Sequence, residues 1–251
     1  MSGISNNEIK RLRSLAMKKF RDQTGLFIVE GEKMVSEALS SSFKVENIYR
    51  IEDIGQDVMS KISSLASPSP VLAVVRKPEN MFLDAPKAKN LPCGLYLALD
   101  SMRDPGNLGT VLRIADWFGV DAVFASGDTV DIFNPKTVQA TMGAIFRVRF
   151  QYADIPSLAA SVCSSGGKVY GTFLDGRNIY ERELETGENT ASVIIIGNES
   201  EGISATVAEN VSDRLYIPPY PAGDTGSESL NAAVAAAVTV AEFRRRMYRQ
   251  R

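Results

Sequence analysis

The chain has 251 residues, 44% apolar and 23% charged, the balance of a globular protein of one large or two ordinary domains. It lacks histidine and has two cysteines, Cys93 and Cys163, which excludes a histidine base, histidine metal ligands, a zinc site and a disulfide framework. The net charge is −2, yet residues 10–21 and 244–251 hold eleven of the 28 cations and no acid. Such patches neutralise phosphates even in an acidic chain. A solvated helix face and arginines at a helix C-terminus account for them equally well. No run of about 18 apolar residues suggests a membrane span, and the polar, basic N-terminus lacks a signal-peptide core. A reducing cytoplasm is therefore expected.

In chain order, Ile9, Leu12, Ala16 and Phe20 lie at helical intervals and predict a helix over 7–20. "LFIVEG" predicts a short strand, "EKMVSEALSS" a helix with Met34, Val35, Ala38 and Leu39 on its apolar face. "VENIYRI" and "VLAVVR" predict strands around a helix near 57–66, which closes a small α/β domain over 1–76. Residues 77–94 carry three of the eleven prolines and no steady period, the pattern of a linker. From residue 95 to 251 the strands "LYLALD", "DAVFAS", "FRVRF", "KVYGTF", "SVIIIG" and "RLYIP" alternate with helical patterns. Short apolar runs of this kind predict a parallel sheet covered by helices on both faces.

In open parallel sheets ligands gather beyond the carboxyl ends of strands. Three polar, turn-rich segments qualify: "DSMRDPGN" after "LYLAL", "GNESEG" after "SVIII", and "PPYPAGDTGSESLN" after "RLYI". Neither G-x-x-x-x-G-K-[ST] nor G-x-G-x-x-G occurs, which argues against P-loop and ordinary dinucleotide chemistry. No cluster has the spacing of zinc or calcium ligands, so no metal is expected.

The three segments resemble the ordered motifs of the SpoU/TrmH family of RNA 2′-O-ribose methyltransferases, in the SPOUT superfamily. Asn107-Gly109-Arg113-Ala115 is similar to N-x-G-x-x-x-R-x-A, and Gly197-Glu199-Gly202 to G-x-E-x-x-G. Ile217-Pro218 with Ser229-Leu230-Asn231 is similar to the third motif, I-P followed by S-L-N. The likeness runs from about Leu95 to the C-terminus, and "FIVEGEKMVSEAL" is similar to the small substrate-binding domain of many members. The segment from Ile217 to Leu230 is a few residues longer than in many relatives.

The resemblance implies a C-terminal trefoil knot, bound S-adenosyl-L-methionine, and a homodimer in which two subunits build the sites. The alanine-rich helix after Asn231 suits that pairing, since small side chains let backbones approach, although alanine is also the best helix former. The resemblance gives Arg113, Asn107, Glu199, Ser229 and Asn231 as catalytic positions and Gly197, Ile217 and Leu230 as cofactor positions. A guanidinium is a demanding base because its pKa exceeds about 12. Phosphate recognition and stabilisation of a developing alkoxide therefore suit Arg113 better. Asn107 would orient Arg113 or the ribose, or cap a helix. Glu199 would hold Arg113 or accept the substrate proton, or serve as a first-turn acid. Ser229 and Asn231 would contact RNA, brace Arg113, or cap.

Lys10, Arg11 and Arg13 are the expected RNA contacts of the small domain. Ribosomal RNA is the expected substrate. A tRNA enzyme of the same family, or a non-catalytic RNA-binding assembly protein keeping the fold, are the alternatives. A small-molecule α/β enzyme would need neither the basic ends nor the N-terminal domain.

Overall fold

A computed structural model of the chain describes residues 4–78, 91–221 and 229–250, with side chains to residue 247. Most of the expected linker, the 222–228 part of the long loop, and the side chains of Arg249 and Arg251 lie outside these residues.

The described chain packs as two units. The first takes residues 4–78 together with 131–147; the second takes 91–130, 148–221 and 229–250. Residues 131–147, which lie within the expected 95–251 segment, pack with the first unit. The reason is visible in the side chains. Asp131 pairs with Arg21 at 2.6 Å, and Phe133 lies 4.8 Å from Phe27, ring to ring. Arg147 closes the inserted segment by pairing with Glu37.

The first unit opens with α1 (Asn6–Ser14) and α2 (Lys18–Thr24), where the spacing predicts one helix. The break has a cause: the Leu15 and Ala16 carbonyls turn to accept from Arg21 Nη1 at 2.9 and 2.8 Å. Leu15 is buried there, whereas Ala16, expected on the apolar face, is exposed. Next come β1 (Leu26–Glu30), α3 (Glu32–Ser40), β2 (Val45–Arg50), α4 (Ile51–Ile54), α5 (Gln56–Ile62) and β3 (Val71–Arg76). The strands form an antiparallel sheet in the order β1-β3-β2. Its core gathers Leu12, Ile28, Met59, Ile62, Leu72 and Val74; Leu39, expected on the apolar face of α3, is 55% exposed.

The second unit begins with β4 (Gly94–Leu99), α6 (Pro105–Trp117) and β5 (Ala122–Ala125). The chain then leaves for the first unit, where it forms α7 (Pro135–Thr141), and returns as β6 (Phe150–Tyr152). The strand expected over "FRVRF" is instead a 3-10 turn at Ala144–Phe146 followed by the start of β6. Here the chain passes between units: Phe146 packs on Phe43 at 5.0 Å, while Phe150 is buried in the second unit. The remainder is α8 (Ile155–Ser164), β7 (Lys168–Asn178), β8 (Ala191–Ile196), α9 (Ala205–Ala208), β9 (Asp213–Tyr216) and α10 (Ala232–Gln250).

All six strands of the second unit are parallel, in the order β6-β5-β4-β8-β7-β9. β4 and β8 sit at the centre and are buried at every residue, as continuous apolar runs require. Tyr96, Phe124, Val193 and Ile195 pack against Leu158 and Val162 of α8. Each large side chain so buried contributes about 1.5–3 kcal/mol. β9 lies at the sheet edge, yet α10, which follows it, packs against β8 and α6. The chain therefore crosses back from the edge to the centre.

Candidate active site

β4 leads outward to β5 and β6 on one side, and its other neighbour β8 leads to β7 and β9. This is the point in an open sheet where loops part and leave a crevice. The loop after β4 starts from an unusual residue. Ser101 has φ of +59°, in the left-handed region that costs a side chain about 1–3 kcal/mol. Its surroundings hold it there. Ser101 donates its N–H to Ser126 Oγ at 2.8 Å and its hydroxyl to Asp128 at 2.7 Å, and its carbonyl accepts from Asn198 Nδ2 at 2.7 Å. The hydroxyls of Ser101 and Ser126 hold the Asp128 carboxyl below its usual pKa.

Asn198 belongs to the loop after β8, so this amide ties the two loops together. Buried Asp100 adds a second tie, accepting from the Ser204 N–H at 2.7 Å. The β8 loop is itself a narrow turn, closed by paired Asn198–Gly202 backbone bonds of 2.9 and 3.0 Å. Gly197 is obligatory at its neck: a Cβ there would lie 2.2 Å from the Gly202 carbonyl carbon. The close approach that glycine permits is thus to the protein's own loop. Glu199 rides the exposed tip of this turn and is not in a helix.

Helix α6 opens with Asp104 as its cap, accepting from the Asn107 N–H at 2.7 Å, and Pro105 follows at the first helical position. Asn107 is therefore not the cap, and its side chain is free for other work. Its Nδ2 donates to Glu199 Oε1 at 2.6 Å, and its Oδ1 accepts from Asn231 Nδ2 at 3.0 Å. Asn231 also caps α10, accepting from the Ala233 and Val234 N–H groups at 3.0 and 3.3 Å. The chain Asn231–Asn107–Glu199 joins all three sequence segments through side chains.

Arg113 stands apart. It is exposed and forms no hydrogen bond or ion pair among the described residues. Six residues along a helix turn it by about 240° from Asn107. Glu199 thus engages Asn107 rather than Arg113, and Asn231 likewise braces Asn107.

Ser229, Leu230 and Ile217 line a small cleft of about 120 Å³ just past β9, together with Phe173 and Leu174 from the irregular middle of β7. Leu174 is 69% and Leu230 49% exposed, an apolar wall left open to solvent. These walls suit the flat purine of S-adenosylmethionine, though the enclosed volume is below the roughly 300 Å³ of a whole-ligand pocket. Among the described residues no cluster of His, Cys, Asp or Glu suits a metal ion.

The basic residues fall into two groups. Lys10, Arg11 and Arg13 are all exposed on α1, with Arg11 paired to Glu8 at 3.1 Å. Arg21, from the same basic run, is buried and structural. At the other end Arg245 and Arg246 pair with Glu242, and Arg244 donates to the Phe118 and Gly119 carbonyls. That end of the chain uses these arginines for packing. Sequence reading missed Ser101, Ser126, Asp128 and Asn198; the serine and amide residues flanking two of the polar segments were the available signal.

A parallel sheet with polar loops at the carboxyl ends of its central strands, tied by the Asn231–Asn107–Glu199 side-chain chain, defines an open α/β fold of the ligand-binding kind. Residues 94–241, more than half of the chain, match the SpoU rRNA Methylase family, and residues 6–57 match an MRM3-like substrate binding domain. The chain is 33% identical to the 23S rRNA (guanosine(2553)-2'-O)-methyltransferase RlmP of Bacillus subtilis, over 97% of this chain and 98% of that protein. It is 36% identical to a solved TrmH-family protein from Porphyromonas gingivalis, with a TM-score of 0.82, covering 98% of this chain and all of the other. An AdoMet-bound rRNA methyltransferase from Sinorhizobium meliloti is 27% identical, with a TM-score of 0.84 over 98% of this chain and 97% of that one. The chain belongs to the SpoU rRNA methylase family. It is an RNA 2′-O-ribose methyltransferase that uses S-adenosylmethionine.

Proposed function

We propose that the protein methylates a ribose 2′-hydroxyl of ribosomal RNA, with Arg113, Asn107, Glu199, Ser229 and Asn231 as its catalytic set. The observation that carries the reading is the Asn231–Asn107–Glu199 chain, because a helix cap alone needs no such link across three loops. Ribosomal RNA as substrate is supported by the relatives, RlmP among them, which is named for 23S rRNA. Gly197, Ile217 and Leu230 hold S-adenosylmethionine, which when bound supplies a methyl group on a sulfonium cation. Asn107 fixes Glu199 through one carboxylate oxygen and leaves the other to accept the hydroxyl proton. Arg113 grips the neighbouring phosphate and stabilises the developing alkoxide.

The N-terminal domain, with Lys10, Arg11 and Arg13, grips RNA, and residues 95–251 carry the chemistry. The trefoil knot belongs to the same reading, supported by the return of the chain from edge strand β9 to α10 against β8. Two copies pair through α10, where Val234 is exposed, and Arg113 completes a site built by both. A cytoplasmic setting is consistent with the absence, among the described residues, of a helix long and apolar enough to cross a membrane. Mapping 2′-O-methyl positions in rRNA from cells with and without the protein tests the substrate. A methyl mark that disappears on deletion, and returns when purified protein and S-adenosylmethionine are added to the unmodified RNA, is the expected result. An unchanged rRNA map with a lost tRNA mark would overturn the rRNA assignment.

A further inference from the structure

In the first unit, two surface turns face a cavity of about 450 Å³. One is the end of α1 with the turn after it, presenting Arg13 and Ala16; the other is the end of α5 with the turn after it, presenting Lys61, Ser63 and Ser64. The floor between them is apolar: half-buried Pro135 reaches the surface, with core residues Leu12 and Ile28 beneath it.

Each turn is held from beneath by a buried charged group. Arg21, 2% exposed, donates to the Leu15 and Ala16 carbonyls at 2.9 and 2.8 Å and pairs with Asp131 at 2.6 Å. Glu30, 4% exposed, accepts from the Ser64 N–H at 2.8 Å and from the Ser63 and Ser64 hydroxyls. Burying a charge is costly, and neither group contributes to the chemistry at the second unit. Both are used to fix a surface concavity, as preorganised binding sites require. Its rim carries Arg13 and Lys61, which are exposed and form no ion pair among the described residues.

We propose that this cavity binds one unpaired nucleotide of the RNA substrate. Arg13 and Lys61 face the flanking phosphates, the base lies on the apolar floor, and the serine oxygens, whose protons go to Glu30, accept from its N–H edge. The occupant follows from the shape and the charge together. A duplex presents only backbone and a shallow groove, whereas an unstacked base can enter a concavity with apolar walls. The proposal rests on the reading of this unit as an RNA-binding domain.

The test uses the full chain and two probes, an RNA hairpin with an unpaired loop and a blunt RNA duplex of the same length. Ala16→Trp fills the cavity without altering charge. It should weaken hairpin binding about tenfold, leaving duplex binding and the salt dependence unchanged. The double variant Arg13→Ala/Lys61→Ala changes only exposed side chains. It should flatten the salt dependence of hairpin binding by about 1.4 in logarithmic slope, the value for two phosphates on a single strand. Melting temperature and S-adenosylmethionine affinity should match the parent in both, which separates a local loss from misfolding. Hairpin binding unchanged in Ala16→Trp, or a salt slope unchanged in the double variant, overturns the nucleotide site. Should the double variant weaken hairpin and duplex equally, the cavity is wrong while the domain still grips RNA. Should adding Lys10→Ala to it leave both affinities intact, the RNA-binding reading of the unit fails as well.

Discussion

Arg113 and Asn107 sit on one helix and point to different sides of it. Arg113 has no partner among the described residues, so its removal breaks no side-chain contact among them. Arg113→Ala should therefore leave S-adenosylmethionine affinity nearly unchanged while slowing single-turnover methylation by roughly two to three decades, about 3–4 kcal/mol. Arg113→Lys should rescue little, since an ammonium lacks the planar fork. Near-native rates in the alanine variant would return the residue to a helix surface. Asn107 is placed by both of its amide atoms, which gives a test with a pH signature. Asn107→Asp keeps the shape but replaces the donor toward Glu199 with a second carboxylate at the present 2.6 Å contact. Two carboxylates so close share a proton, and the pair's upper apparent pKa rises. Activity of this variant should be low at neutral pH and recover as the pH falls toward that raised value, where one carboxyl again donates. A profile parallel to the parent enzyme's would show that the amide does not position Glu199.

At the scale of elements, α10 shows how a helix with an alanine-rich start is anchored at its other end. Glu242 is 5% exposed and accepts from Arg245 at 2.7 and 2.6 Å and from Arg246 at 2.7 Å. These contacts, Arg245 first, hold its pKa below the usual glutamate value despite burial. The linkage then has a definite sign. A lowered folded pKa means stability present above the unfolded pKa, about 4.3, and lost as the pH falls through the folded value. Glu242→Gln should cost about 1–3 kcal/mol at neutral pH. Thermal melts of parent and variant should converge as the pH drops below about 4. A gap that stays constant down to acid pH would assign the cost to packing instead. The β8 loop makes a complementary point: its neck admits only glycine at 197, so a family position that looks like a cofactor contact is also a steric need of the loop.

For the whole molecule, the assembly is the consequential question. Val234 is 48% exposed on the first turns of α10, three residues beyond Asn231. Should two copies pair through this face, Val234→Arg should convert a dimer to a monomer in light scattering of the full chain. Methylation should fall with it, because Arg113 finds no partner among the described residues of its own chain. A parent protein that is monomeric at micromolar concentration and fully active would remove the two-subunit site.

Apolar periodicity and turn chemistry were enough to place the strands of both sheets, apart from "FRVRF". A buried parallel strand is a continuous apolar run, and that pattern survives without its neighbours. The motifs brought Asn107, Glu199 and Asn231 forward as candidates, and each lies in the crevice beyond β4 and β8. What sequence could not determine was pairing over long separations. Arg21 looked like one more cation of a basic run, but it is buried because Asp131, 110 positions away, neutralises it. The helix predicted through Ala16 breaks because that same arginine claims two of its carbonyls. Ser101 gave no signal, since its left-handed backbone is held by Ser126, Asp128 and Asn198 from two other loops. Local patterns are set by a residue's neighbours in the chain and can be read there. The partners of a buried charge or a strained turn are chosen by the folded packing, and only the tertiary structure names them.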